Sequence, residues 1–227
     1  MRTLIYVPIV PSLEEMGSLE NESKCKSRAS DGDNYWQMYT NTVNGYWNAI
    51  GSYFENISCY IPGVKIYLDA LFFGGNTSFK FLDQGIKSGN KKSEIVSKLI
   101  DQGAILVKTE EFKMSKDEDI EFQNTLISKS IIQRLILRLR RRFSKSIYLK
   151  KRDLYVAKTI DETLNQKDTG ILFIGVYNKV MNRLAKDITI IELKEVSKIL
   201  KYQKAFYTHS GTKNDQLEQL SQYLVKQ

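Results

Sequence analysis

Residues 170–180 read GILFIGVYNKV: four consecutive apolar side chains from Ile171 to Ile174, then Gly175, then Asn178 where the chain has to leave a sheet. A run this short and apolar at every position is the pattern of a strand buried on both faces, not of one half exposed to water. TLIYVPIV (3–10), VKIYLDAL (64–71), AILVKTE (104–110) and ITIIEL (188–193) share it. Segments with helical period lie between them. Buried strands alternating with helices predict a three-layer α/β domain whose mostly parallel sheet has about five strands flanked by helices. With 227 residues, 42% of them hydrophobic, one such domain over residues 1–227 has enough apolar material for a core.

The first long connection carries Tyr35, Trp36, Tyr39, Val43, Tyr46, Trp47, Ile50, Tyr53, Phe54 and Ile57 at the spacing of one helix face. A stripe of this kind either docks its helix on the sheet or stacks on a flat ligand, and its regularity favours docking. Gly45 and Gly51 within it mark close approach or local weakness. After the second strand, FFGGNTSFKFLDQGIKSGNKK reads as a glycine- and asparagine-rich loop at a strand's C-terminal end, where open α/β sheets receive ligands. It holds no GxGxxG or Walker A pattern. SEIVSKLIDQG then reads as a helix with Ser93 as its N-cap and Gly103 as its stop.

The formal net charge of +8 is concentrated. Residues 128–152 hold ten basic side chains and no acidic one, and the rest of the chain has 24 basic against 26 acidic residues. Residues 117–165 are expected to form a long basic amphipathic helical segment, in two pieces divided near FSKSIY. Ile131, Ile132, Leu135, Ile136, Leu139 and Phe143 line one face, and Arg134, Arg138, Arg141, Arg142 and Lys145 line the other. The apolar face packs into the domain with the arginines solvated, or the basic face meets an acidic protein partner or mediates self-association. Nucleic-acid phosphates and an anionic membrane surface are the remaining readings. No run of about 18 apolar residues predicts a transmembrane segment. The N-terminal apolar run lacks a small-residue cleavage site and reads as the first strand. Cys25 and Cys59 have neither metal-ligand spacing nor disulfide density, so a reducing, cytoplasmic setting is expected.

The segment KKRDLYVAKTIDETLNQKDTGILFIGVYNKV (150–180) holds a helix with Arg152 and Asp153, a polar turn ending at Gly170, and the apolar strand that delivers Gly175 and Asn178. It resembles the second half of the TraB/EreA/ChaN-like superfamily, in which an R-[DN]-x-x-x-A-x-x-I helix leads into an apolar strand ending in G-x-x-H. Arg152, Asp153, Ala157 and Ile160 match that helix, and Gly175 matches the strand end. IYVPIVPSLEEMGSL is similar to the superfamily's first strand and following loop, and the two blocks together cover about 45 residues. The resemblance implies a site at the C-terminal ends of parallel strands, with Ser12, Arg152, Gly175 and Asn178 as ligand-binding residues. It also implies hydrolytic or metal-dependent chemistry carried by histidines and acids. Here the two histidine positions fall at or near Pro11 and at Asn178. A transition metal prefers imidazole or thiolate, and a general base at neutral pH is most simply a histidine, so the departure removes the working groups.

Carboxylates remain as catalytic candidates at the expected rim. Glu14, Glu15, Asp69 and Glu110 (beside Glu111) are able in principle to hold Mg²⁺ or share a proton, with Arg152 recognising an anion. The lone histidine, His209, has no partner at ligand spacing and reads as a helix-terminal side chain. Cys25 sits between Lys24 and Lys26, yet a cysteine nucleophile would need that same histidine. No GxSxG, HExxH or CxxC occurs. Two functions follow: a ligand-binding or protein-interaction domain that has lost a hydrolase's histidines, or an active hydrolase using carboxylates and Arg152, with or without Mg²⁺.

Overall fold

A computed structural model describes residues 1–12, 33–69, 76–109, 149–208 and 215–226. In chain order the elements are β1 (Arg2–Ile9), α1 (Asp33–Asn56), β2 (Lys65–Leu68), α2 (Asn76–Lys87), α3 (Lys91–Asp101) and β3 (Ile105–Val107). They continue with α4 (149–163), β4 (Thr169–Gly175), β5 (Ile188–Glu192), α5 (Val196–Thr208) and α6 (Asp215–Val225). Short 3₁₀ turns lie at Ser58–Tyr60 and Val180–Arg183. The strands form one parallel sheet in the order β3-β2-β4-β1-β5. Among the described residues no helix is long and apolar enough to cross a membrane.

The apolar runs divide between two layers by simple alternation. Ile5 and Val7 of β1, Ile66 and Leu68 of β2, and Ile171 and Phe173 of β4 face α1, α3, α5 and α6. Leu4, Tyr6, Tyr67, Leu172 and Ile174, the residues between, face Val156, Ala157, Ile160 and Leu164 around α4. Both faces of the central strands are buried, which is why these sequences lack polar positions. The aromatic stripe of α1 docks on the sheet: Trp36, Tyr39, Tyr46, Trp47 and Phe54 are all buried. Its polar tips satisfy backbone at the exit of β1. Tyr39 Oη donates to the Pro11 carbonyl at 2.8 Å, Trp47 Nε1 to Val10 at 3.1 Å, and Tyr46 Oη to Pro8. Gly45 marks close approach, because a Cβ there would lie 2.4 Å from Val225 Cγ1 of α6.

Two local expectations are corrected. Much of the stretch expected as a loop over 72–92 is helical, since α2 runs from Asn76 to Lys87 with Leu82 in the core. Gly85 is what permits α2 to meet α3: a Cβ there would sit 2.3 Å from Ser93 Oγ. The N-cap of α3 is Asn90, whose side chain accepts from the Ser93 N–H at 3.1 Å. Ser93 lies inside the helix and is buried, so its hydroxyl was not available as the cap. Gly103 ends the helix at φ +97°, as expected for a left-handed stop.

The order of connections creates the place where a site belongs. From β1 and from β2 the chain moves toward the β3 edge through helices of the α1 layer. From β3 to β4 it returns through α4, and from β4 to β5 it passes the 3₁₀ turn with Val180 in the α4 layer. β4 is therefore flanked by two strands, β2 and β1, whose onward connections go to the opposite face. Open α/β sheets part their loops at such a switch point, at the C-terminal strand ends.

Candidate functional site

At this switch point β2 and β4 end side by side. The Asp69 N–H donates to the Phe173 carbonyl at 2.8 Å, extending the ladder one residue past β2, and Asp69 Oδ2 accepts from the Gly175 N–H at 3.3 Å. Beyond Gly175 the chain turns sharply. The Gly175 carbonyl accepts from the Asn178 backbone N–H at 3.1 Å and from Asn178 Nδ2 at 3.0 Å. A side chain at position 175 would press on this arrangement, its Cβ 3.1 Å from Asn178 Nδ2 and 3.7 Å from Asp69 Oδ2.

The start of α4 supplies the remaining groups. Arg152 Nη1 lies 3.5 Å from Asp69 Oδ1, and Nη2 donates to Asn178 Oδ1. Asp153, only 4% exposed, accepts the Lys179 N–H on Oδ2 at 3.1 Å. Two consecutive residues of α4 thus hold two consecutive residues of the turn after β4. Val156, Ala157 and Ile160, packed beneath, fix the helix against the sheet. Charge and burial do not balance fully. Asp69 Oδ1, Arg152 Nε and Asp153 Oδ1 are buried with no hydrogen-bond partner, a condition that costs about 1–3 kcal/mol per group and asks for a ligand or water.

Tyr6 of β1 lies in the α4 layer of the sheet. Burial, followed by the charges of Glu192 and Asp69, pushes its phenol well above the ordinary range. The hydroxyl stays protonated throughout the physiological range.

The structure brings Arg152, Asn178, Gly175 and Asp69 together. Ser12 lies elsewhere, lining a hollow of about 270 Å³ with Tyr39, Asn44, Trp47, Asn90 and Lys91 on the α1 side. The strands before Ser12 and Asn178 do end together, Ile9 in register with Gly175, but the chain continues toward α1 from one and toward the α4 layer from the other. Glu14, Glu15, Glu110, Glu111, Cys25, His209 and the basic residues Arg134, Arg138, Arg141, Arg142 and Lys145 lie outside the described residues. Sequence reasoning gave Arg152 an anion to recognise; its described partners are Asp69 and Asn178. It left Tyr6 and the Asp153–Lys179 bond unremarked, although Asp153 stands in the matched motif.

Among the described residues no three His, Cys, Asp or Glu side chains are grouped as metal ligands. Asp69 is paired with the Arg152 guanidinium, and the other candidate carboxylates, Glu14, Glu15 and Glu110, lie outside the described residues. No protein-family model, curated protein or solved structure matches the chain.

Proposed function

We propose that the protein is a ligand-binding domain whose site is the Asp69–Arg152–Asn178 cluster at the switch point of the sheet. The observation that carries this reading is a charged, nearly buried cluster that leaves a carboxylate oxygen on Asp69 and the Nε–H of Arg152 without hydrogen-bond partners. A cluster serving only to tie α4 to β4 would close its own hydrogen bonds. Kinship with the TraB/EreA/ChaN-like superfamily fits the same reading, because Arg152 reaches the residue that stands where that superfamily's G-x-x-H histidine is expected. With asparagine there, the cluster orients and recognises, and it lacks a group suited to proton transfer at neutral pH.

A second reading, hydrolysis by carboxylates with Arg152, with or without Mg²⁺, draws on the unpaired oxygens of Asp69 and Asp153. The basic run that precedes the site in sequence is proposed as a surface for an acidic protein partner, with Arg152 excluded because it is engaged with Asp69 and Asn178.

The test is a saturation-transfer NMR screen of small carboxylates, phosphates, amines, esters and polyols against wild type and Arg152→Ala. Binding or turnover that disappears in the variant supports the site. Capture of esters with release of acid supports the second reading over the first. Binding that Arg152→Ala leaves unchanged removes the cluster as the site.

A further inference from the structure

Resting on that reading, we infer that the group received beside Asp69 and Arg152 is a hydroxyl of a neutral, polyhydroxylated ligand, not a carboxylate or phosphate. An arginine at a strand-end rim suggests anion binding, because a guanidinium can clasp two anionic oxygens at once. Here Nη2 already donates to Asn178, and Nη1 is held by the Asp69 carboxylate at 3.5 Å, in an ion pair that falls short of a hydrogen bond. The Nε–H is its buried donor without one.

Charge points the same way. Asp69 and Asp153 bring two carboxylates to one guanidinium, and a third anion would enter a cluster that is already net negative. The unmet hydrogen bonds decide between the remaining classes. Asp69 Oδ1 and Asp153 Oδ1 need donors, and Arg152 Nε needs an acceptor. A carboxylate, which only accepts, would satisfy Nε and leave both oxygens unmet; a phosphate, whose P–OH is able to donate to one of them, would bring further negative charge into the cluster. An ammonium, which only donates, would leave Nε unmet and set a second cation beside the guanidinium. A hydroxyl does both: it donates to Asp69 Oδ1 while accepting from Arg152 Nε. A second hydroxyl of the same molecule donates to Asp153 Oδ1.

The experiment uses the full chain and three probe sets at millimolar concentration: monosaccharides with myo-inositol, inorganic phosphate with succinate, and a primary alkylamine. Saturation transfer and calorimetry are read on wild type, Asp69→Asn and Asp153→Asn, with far-UV circular dichroism and the thermal midpoint as controls for folding. The expected result is saturable binding of at least one polyol, weakened about tenfold or more in Asp69→Asn, the scale of a lost hydrogen bond to a buried charge. Phosphate, succinate and amine remain unbound. If Asp69→Asn does not fold, loss of polyol binding in folded Asp153→Asn stands in its place. Phosphate, succinate or amine binding that needs Arg152, without polyol binding, overturns the inference and leaves the ligand site standing. Polyol binding indifferent to both substitutions also overturns it. Silence from all three sets, with a high-resolution structure showing ordered water alone on Asp69 Oδ1 and Arg152 Nε, overturns the inference and the ligand-binding reading together.

Discussion

Arg152 and Asp69 face each other at 3.5 Å across the end of β2, and each keeps a buried polar atom without a hydrogen-bond partner. They come from α4 and from the residue after β2, and they meet because β2 and β4 are neighbours in the sheet. A contact between groups so distant in sequence is a product of the whole fold. Its incompleteness is what sets it apart from an ordinary tie between helix and sheet.

Asn178 serves both members of this rim, accepting from Arg152 and donating to the Gly175 carbonyl. Asn178→Ala removes both bonds and leaves a half-buried guanidinium short of an acceptor, so it is expected to cost about 1–3 kcal/mol in urea unfolding. Asn178→Asp keeps an acceptor for Arg152 but sets an oxygen against the Gly175 carbonyl and a third negative charge beside Asp69 and Asp153, so it is not expected to recover wild-type stability. Equal stability of wild type and Asn178→Ala would show that the turn holds without this side chain.

The opposite end of the sheet is closed by a complete network, which makes it the natural control. Arg2 donates from Nε and Nη2 to Asp187 at 2.9 and 2.7 Å, from Nη2 to Asp161 at 2.7 Å, and from Nη1 to the carbonyls of Asp161 and Leu164 at 3.0 and 3.2 Å. Hydrogen bonding from Arg2 draws the Asp187 carboxyl down to about 2. A carboxyl whose pKa is lower in the folded state stabilises the fold above its unfolded value of about 3.9. That contribution fades as pH falls toward 2. Urea midpoints measured from pH 6 downward are expected to drop across this window in wild type, and part of the drop should vanish in Asp187→Asn. A variant whose acid slope matches wild type would remove Asp187 from the pH response.

Gly170 opens β4 within the α4 layer, where an added Cβ would lie 2.9 Å from Tyr67 Cε2, 3.1 Å from Leu4 Cδ1 and 3.3 Å from Leu164 Cδ1. These neighbours come from two other strands and the stretch after α4, and all three are buried, so none gives way easily. Gly170→Ala is expected to destabilise by about 1–3 kcal/mol despite the ordinary preference for alanine over glycine. A neutral or stabilising effect in chemical denaturation would show that this layer is packed less tightly.

The strands were legible in the sequence because burial on both faces leaves Ile171 to Ile174, or Thr3 to Val10, with almost no polar interruption. The aromatic stripe of α1 was legible for a related reason, since Tyr39, Tyr46 and Trp47 keep helical spacing while their polar tips find carbonyls on the exit of β1. α2 was not, because its apolar signal is confined to Phe79, Phe81, Leu82 and Ile86 in a stretch that follows Gly74 and Gly75 and contains Gly85. Gly85, which argues for a loop by composition, is required by contact with Ser93. At the site, Arg152, Gly175 and Asn178 stood out by motif. The partnership of Arg152 with Asp69 did not, since nothing local announces that β4 lies between β1 and β2. Ser12 was placed with Asn178 by the resemblance; their strands do end in register at Ile9 and Gly175, and beyond them Ser12 lines a hollow with Tyr39 and Trp47 of α1 while Asn178 turns back onto Gly175 and Arg152.

The most direct measurement is a ¹H–¹⁵N NMR titration of the labelled full chain with the ligands that the screen selects, following the Gly175 amide and the Arg152 Nε–H. Both signals should move together and saturate at one common concentration, and Asp69→Asn should raise that concentration about tenfold or more. Movement confined to the hollow around Ser12, Asn44 and Asn90, with Gly175 and Arg152 Nε–H still, would contradict the assignment of the rim as the ligand site.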